Sequence, residues 1–321
     1  MMDVPPEVLD RHRANQVLER IQIRTTRMNE VDAWLEVPSV NILVLGAAWI
    51  LLFIVERVAP LRAPRARLVQ RLWVNACVSV LALVTAYFVV VPAAMLAMRH
   101  VSLQKMGVLQ WANLPSAAEI VAGFALMDLS FYYWHFANHR IGWLWRFHNV
   151  HHIDPDLDVS SAFRFHFGEV ALSALFRVVQ IAIIGVTPFT FAIYEIVFGL
   201  NTLFQHSNVR LPIALERWLS KVIVTPRMHG VHHSDTRREN RSNFSVVFSV
   251  WDRLHRTLRL NIAQSSIVIG IPAYLDARNN ALGNVIALPF QRQRDYWRAP
   301  DGTIVEHADN DTRKAAQVMA S

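Results

Sequence analysis

The apolar stretch that determines the fold runs from Val170 to Phe204 and reads VALSALFRVVQIAIIGVTPFTFAIYEIVFGLNTLF. Its only charged residues are Arg177 and Glu195. A helix needs about 20 apolar residues to cross the hydrocarbon core of a bilayer. The stretch is long enough for two such helices, and the sequence GVTP at 185–188 interrupts it where a helix would end or turn. We therefore predict a membrane hairpin with spans at about 170–186 and 188–204.

Three earlier stretches have the same character. Residues 37–55 and 72–98 carry no charge, and residues 120–137 carry only Asp128. Buried helices of soluble proteins rarely stay free of charge for so long. The sequence predicts an all-α fold, a multi-pass membrane helical bundle, with further spans at about 37–57, 72–98 and 118–138. A single domain at 37–290 would follow a polar, interfacial leader at 1–36 and precede a polar tail at 291–321.

Charge and cysteine content narrow the function. The net charge is +7, but the arginines are spread through loops and no nucleic-acid motif is present, which argues against nucleic-acid binding. The only cysteine, Cys77, lies in an apolar stretch, which excludes disulfides, thiolate metal sites and Fe–S clusters. No cleavable signal sequence is visible near the start of the chain.

The distribution of basic residues predicts an orientation. The loop 59–71 holds four arginines, whereas the loop 99–115 holds only Arg99 and Lys105. The positive-inside rule places the first loop, and with it the histidine-rich segments 135–169 and 205–259, in the cytoplasm. The arginines of the leader disagree with this assignment. An Arg-rich, Lys-poor composition favours a bacterial cytoplasmic membrane.

The histidines are clustered rather than scattered. One H-x-x-x-H motif and two H-x-x-H-H motifs comprise His135 and His139; His148, His151 and His152; and His229, His232 and His233. Residues i, i+3 and i+4 share one face of a helix, so each motif directs its imidazoles towards one point. Eight nitrogens are more than one metal ion binds, so we predict two metal ions. His206, just beyond the last apolar stretch, is the predicted ninth ligand, with His166 as an additional candidate and His255 as a weaker one. The isolated His12, His100 and His307 are predicted to be surface residues.

The ligand set favours iron. Imidazole suits Fe, Zn, Cu and Ni, but a closed zinc site needs only four ligands, and the H-E-x-x-H signature is absent. We predict two iron ions that use O2, with zinc as a substitute metal in a purified sample. Carboxylates near the motifs are candidates for accepting the second N–H of a ligand histidine: Asp128, Asp154, Glu169, Asp235 and Asp252.

The order of these motifs resembles the fatty acid hydroxylase / sterol desaturase superfamily. Similar segments are DLSFYYWH at 128–135, WRFHNVHH at 145–152 followed by DPD at 154–156, TPRMHGVHHS at 225–234 and WDRL at 251–254. The resemblance covers roughly residues 120–260. There are departures: the family often has R-x-H-P-x-E where this chain has RFHFGE at 164–169, N-Y-G where it has NFS at 243–245, and F-G-T where it has HRT at 255–257.

The resemblance implies an O2-dependent di-iron enzyme that hydroxylates a lipid, such as a fatty acyl chain or a sterol. Electrons would come from an external reductase or a cytochrome b5-like or ferredoxin-like carrier. Desaturation or ether-lipid oxidation by the same kind of site remains an alternative. A membrane zinc-dependent hydrolase is a second class. A metal transporter or sensor is a third, but its ligands would lie deep in the bilayer, unlike motifs that adjoin Arg140, Arg227 and Asp235.

Overall fold

The computed structural model describes residues 37–306, with side chains described from residue 42 onward. The predicted leader, the tail beyond residue 306, His12 and His307 lie outside the described residues. Within the described part, all regular secondary structure is helical, as the sequence predicts. The α-helices are α1 Val37–Val58, α2 Leu68–Thr85, α3 Val91–Gln104, α4 Val108–Ala112, α5 Ser116–Arg140, α6 Gly142–His152, α7 Phe167–Ile184, α8 Pro188–His206, α9 Ile213–Leu219, α10 Pro226–His232, α11 Arg237–Asn240, α12 Val250–Leu254 and α13 Leu282–Ala287.

The hairpin turn forms where the sequence predicts it. Helix α7 ends at Gly185, whose φ of +74° is the left-handed conformation that glycine adopts without strain. Thr187 then caps α8, its side chain accepting a hydrogen bond from the Thr190 N–H. Pro188 occupies the first turn, where its missing N–H costs nothing.

The helix predicted at about 72–98 is longer than expected. Helices α2 and α3 are joined without a break by a π-helical segment, Ala86–Val90, so that helix runs from Leu68 to Gln104. Pro92 explains the π-helical turn, because it cannot donate to the preceding turn and its ring crowds that turn. The polar residues after 98 do not end the helix; Lys105 does, with a left-handed φ of +50°. By length and hydropathy, two helical stretches of the described residues qualify as membrane spans: Leu68–Ala112 and Phe167–Ile184.

The bundle has two ends with different chemistry. At one end, the Gln110 amide donates to Gly185 O at 3.0 Å, and Glu119 accepts from the hydroxyls of Thr187 and Thr190. A side chain at Gly185 would begin 2.6 Å from the Met106 carbonyl oxygen, so only glycine fits this contact. Between the ends, an apolar core packs α3, α5, α7 and α8 together through Val101, Met127, Ile181 and Tyr194.

At the other end, the loop between α1 and α2 packs against the histidine-rich segments. Arg62 donates to Gln264 Oε1 at 2.7 Å, and the backbone N–H groups of Arg65 and Ala66 donate to Asp156. Pro60 forms an isolated bridge with Val209. The first loop and the histidine-rich segments therefore lie at the same end of the bundle, which we call the polar end.

A buried ionic network fixes the segment after α6 to the start of α2. The Arg71 guanidinium lies 2.7 Å from Asp154 Oδ1 and 2.6 Å from Asp158 Oδ1, with all three side chains buried. Arg164 is fully buried and donates to Asn75 Oδ1 at 2.6 Å. The guanidinium of Arg71 is the principal reason that the pKa of Asp158 lies well below its usual value despite burial.

Loss of one partner of a buried, hydrogen-bonded ion pair leaves a charge without compensation. We expect Arg71→Ala to lower the free energy of unfolding by about 3–5 kcal/mol. Thermal unfolding in detergent would measure the change. Arg67→Ala removes an exposed arginine at the same helix start and serves as the matched control. Equal stability of the two variants would contradict a stabilising role for the network.

Candidate metal centre

Four helices bring the predicted ligand histidines together at the polar end. The last turns of α5 carry His135 and His139, and α6 carries the second motif. His206 is the final residue of α8, while α10 carries His229 and His232 and is capped by His233. All nine predicted ligand side chains are buried. The i, i+3, i+4 spacing on α6 and α10 gives each motif the shared face that the sequence predicts.

The nine histidines form two groups rather than three. One group contains His135, His139, His148, His152 and His232; the other contains His151, His206, His229 and His233. Within each group, the candidate ligand nitrogens all lie within 4.8 Å of one another. Each H-x-x-H-H motif is thus divided, and α6 and α10 contribute to both groups.

Distances within the second group match ligands that share one ion. The Nε2 atoms of His151 and His206 lie 3.0 Å apart, those of His206 and His229 2.9 Å, and those of His229 and His233 3.0 Å. A ring nitrogen has either one proton or one lone pair, so the Nε2 of His206 cannot form good hydrogen bonds to two other Nε2 atoms. Two nitrogens at about 2.1 Å from one metal, at right angles, are about 3.0 Å apart. Hydrogen bonding does not explain these short distances between Nε2 atoms, whereas binding of the four imidazoles to one cation does.

In the first group, protein oxygen atoms contact the Nδ1 atoms of three imidazoles. The Nδ1 atoms of His135, His148 and His232 lie 2.7–2.8 Å from Phe244 O, Glu169 Oε1 and Ser242 O. Since these oxygens accept, each Nδ1 carries the proton and each Nε2 offers a lone pair to the group interior. The Nε2 atoms of His139 and His232 are buried and have no partner among the described residues. Leaving a buried polar atom unpaired costs free energy, so both nitrogens fit metal ligands.

Electrostatics favour uncharged imidazoles. Burial, reinforced by the neighbouring histidines, lowers the pKa of His152 and His233 well below the usual value. Burial lowers the pKa of His232 to about 3. Metal binding requires imidazole without its second proton, so the ligand set is ready for a cation at neutral pH. Nine nitrogens in two groups suit a pair of first-row transition metals.

The remaining histidine candidates lie outside both groups. Nδ1 of His166 accepts from the Gly168 N–H at 2.9 Å, and Nε2 lies 3.0 Å from Ile286 O. Both of its ring nitrogens are therefore used, and it caps α7. His255 stacks on Tyr132 and contacts the Tyr133 hydroxyl at 2.8 Å. His100 is exposed.

Of the five candidate carboxylates, Glu169 contacts a motif histidine, His148. Asp128 accepts from the backbone N–H groups of Val247 and Phe248 and from the Trp251 indole. Asp252 accepts from the N–H groups of Phe244 and Ser245. The other two are placed elsewhere: Asp154 in the ionic network, and Asp235 beside Ser234 Oγ. Asp128 and Asp252 act on the site indirectly, since they hold the segment 244–248 in place.

Sequence reasoning missed one side chain that contacts the metal ligands. The Asn240 amide lies 3.1 Å from His139 Nδ1 through Oδ1 and 3.2 Å from His152 Nδ1 through Nδ2, and it also donates to His232 O. It thereby contacts three residues of the first group. Nothing in the sequence around position 240 indicates this role, because the contacts depend on how α11 folds back over α5 and α6.

Comparison with known proteins identifies the segment that carries these ligands. Residues 120–257 match the family model described as fatty acid hydroxylase. This segment of the chain is similar to fatty acid hydroxylases. It contains all nine clustered histidines and Asn240, and the match confirms the resemblance predicted from the motifs.

Relatives of the domain act on several lipids. The chain is similar to ornithine lipid hydroxylase OlsE of Rhizobium tropici (30% identity over 50% of this chain and 47% of the relative). It is similar to human cholesterol 25-hydroxylase (27% identity; 42% of this chain, 48% of the relative) and to human alkylglycerol monooxygenase (26%; 42% and 29%). The chain thus spans about half the length, or less, of these curated relatives. No solved structure matches the chain.

The contacts of Asn240 generate a prediction about metal affinity. We expect Asn240→Ala to weaken metal binding about 10–100-fold, since groups that orient ligand histidines typically contribute that much. Titration of the metal-free protein with Fe(II) or Co(II) in detergent would measure the affinity.

The control for this titration is His166→Asn. This variant removes a buried histidine outside both groups, and we expect it to bind as much metal as the wild type. Loss of metal from His166→Asn would contradict its place outside both histidine groups. Unchanged metal affinity in Asn240→Ala would contradict its role in orienting the histidine rings.

Proposed function

We propose that the protein is an O2-dependent membrane oxygenase that holds two iron ions and hydroxylates an unactivated C–H bond of a lipid. The observation that carries this proposal is the pair of buried histidine groups with converging nitrogens. The five histidines of the first group would hold one iron and the four of the second group the other. Bound iron would supply the reduction of O2 and the oxidation of carbon. For hydroxylation the balance is RH + O2 + 2 electrons + 2 protons → ROH + H2O.

The chain's own residues would perform the binding, orientation and exclusion of water. Glu169, Asn240 and the carbonyls of Phe244 and Ser242 hold the imidazoles in one orientation. Phe244 is fully buried and packs its ring against those of His135, His139 and His232. Phe165 stacks on His151. These rings exclude water from the site, which prevents side reactions of an oxidising centre.

We further propose that α1, α5 and α8 cross the membrane together with the two stretches that qualify by hydropathy. Helix α5 has 25 residues and α8 has 19, which correspond to about 37 and 28 Å, lengths near the 30 Å hydrocarbon thickness. Only 11% of the most apolar window of Leu68–Ala112 is buried within the protein, which suits contact with lipid. The arginine-rich first loop at the polar end favours a cytoplasmic metal centre.

The substrate is proposed to be a membrane lipid because relatives with this domain are named for ornithine lipid, cholesterol and alkylglycerol. Similarity to an alkylglycerol monooxygenase keeps oxidation next to an ether oxygen as a second candidate reaction. A zinc-dependent hydrolase would require neither O2 nor electrons. The oxygenase requires both, and this difference distinguishes the two functions experimentally.

Lipid profiling of cells with and without the gene, grown under 18O2, tests the proposal. We expect one lipid class to gain a single labelled oxygen in a gene-dependent manner. Loss of two hydrogens without label would indicate desaturation instead. A gene-dependent lipid change that persists without O2 would contradict an oxygenase and favour hydrolysis.

Substitution of one ligand in each group tests whether both are needed. We expect His232→Ala and His233→Ala each to abolish the labelled product and to lower bound iron, measured by elemental analysis of the purified protein. His100→Ala, in an exposed position, is the control and should retain both. Full activity of either ligand variant would contradict a shared centre.

A further inference from the structure

A basic cavity lies beside the metal centre at the polar end. Its volume is about 810 Å³, and its wall contains six arginines, Arg140, Arg237, Arg238, Arg241, Arg256 and Arg259. Among the described residues of the wall, only Asp295 and Glu306 are acidic. Arginines at this density create a positive potential that attracts an acidic partner and speeds its association.

The positive charges are crowded. The pKa of Arg241 is lowered by burial and by the neighbouring charges of Arg237 and Arg140. Arg256 adopts a left-handed φ of +57°, which is costly for a residue with a branched or bulky side chain and favours glycine. The chain therefore places an arginine in this wall at a cost in backbone strain of order 1 kcal/mol.

The cavity wall is connected to the metal ligands by aromatic rings. Trp297 lines the cavity and stacks on the buried Trp145, with ring centroids 6.3 Å apart and an interplanar angle of 23°. The Trp145 ring lies 4.8 Å from that of His139 and 5.4 Å from that of His152. A second connection is shorter still, since the carbonyl of Ser242, another wall residue, accepts from His232 Nδ1.

We propose that this basic cavity is the docking surface for a small acidic one-electron carrier protein, and that Trp297 and Trp145 form the electron path from it to the first histidine group. The inference rests on the proposed function, because an enzyme that reduces O2 needs electrons, whereas a hydrolase at this site would not. Each hydroxylation consumes two electrons, so the carrier docks twice per turnover and is oxidised by one electron each time. The cavity lies at the polar end, where its wall residues Arg140 and Ser242 adjoin the histidine groups.

Charge reversal in the cavity tests the docking surface. The probe is an acidic plant-type [2Fe–2S] ferredoxin, whose binding to the purified, metal-loaded protein in detergent is measured by thermophoresis at several salt concentrations. We expect Arg237→Glu/Arg241→Glu to weaken the Kd at least about tenfold at low salt, and the difference to shrink at high salt. The control Arg217→Glu reverses an exposed arginine outside the cavity and should bind as the wild type.

A second variant tests whether weaker ferredoxin binding results from the lost charge rather than from damage to the fold. Arg256→Gly deletes one positive charge and also relieves the left-handed strain. We expect its Tm to be equal to or higher than that of the wild type while its ferredoxin Kd rises. Equal Kd for wild type, Arg237→Glu/Arg241→Glu and Arg256→Gly would overturn the proposal.

The electron path has its own measurement. In the iron-loaded protein without O2, stopped-flow absorbance follows the oxidation of reduced ferredoxin. We expect Trp297→Leu to slow this transfer at least about tenfold with an unchanged Kd, whereas Trp218→Leu, which removes an exposed tryptophan outside the cavity and outside the Trp297–Trp145 pair, leaves it unchanged. An unaltered rate in Trp297→Leu would overturn the path.

Two arms separate failure of this inference from failure of the proposed function. Photoreduced deazariboflavin, a small reductant that needs no docking, should support equal lipid oxidation by the wild type and Arg237→Glu/Arg241→Glu; no oxidation by either would reject the proposed oxygenase itself. Vesicles of phosphatidylglycerol or phosphatidylcholine provide the other arm. If the arginine variants lose binding to phosphatidylglycerol vesicles but keep ferredoxin binding, the cavity holds an anionic lipid headgroup and the docking proposal is wrong.

Discussion

The structure depends on the burial of nine imidazoles whose nitrogens face one another. Lone pairs that point into a shared, dry space repel and lack hydrogen-bond donors, so the arrangement is unfavourable unless a cation occupies it. This constraint explains why so many protein groups surround the site. Backbone carbonyls, Glu169 and Asn240 fix the rings from outside, and the Arg71 network anchors the segment that follows α6.

The helices and the ligands could be predicted from sequence because both signals are periodic. The apolar stretches predict the helices of the hairpin, and the i, i+3, i+4 spacing predicts which histidines come together. The proline in the second apolar stretch does not predict a helix end. Proline normally ends or kinks a helix, but here a π-helical turn precedes Pro92 and the helix continues to Gln104.

Other features depend on tertiary contacts that no local pattern encodes. The spacing predicts that each H-x-x-H-H motif directs its imidazoles towards one point, and this prediction is wrong: the folded chain divides both motifs, because α6 and α10 each contribute to both groups. Carboxylates near a motif are reasonable candidates for contacting histidines, and Glu169 does so, whereas Asp128 and Asp252 accept hydrogen bonds from backbone N–H groups. Asn240 contacts two ligand rings through a short helix whose position depends on the whole polar end.

The division of each H-x-x-H-H motif between two groups has a consequence for biogenesis. His148 and His152 belong to one group and His151, between them, to the other; His232 and His233 are separated in the same way. Until the C-terminal motif has been synthesised and α10 has docked on α8, the first group therefore lacks one of its five imidazoles and the second group lacks two of its four. A chain truncated before α10 keeps four imidazoles of the first group but only two of the second, so the two groups are completed together in a late step of folding.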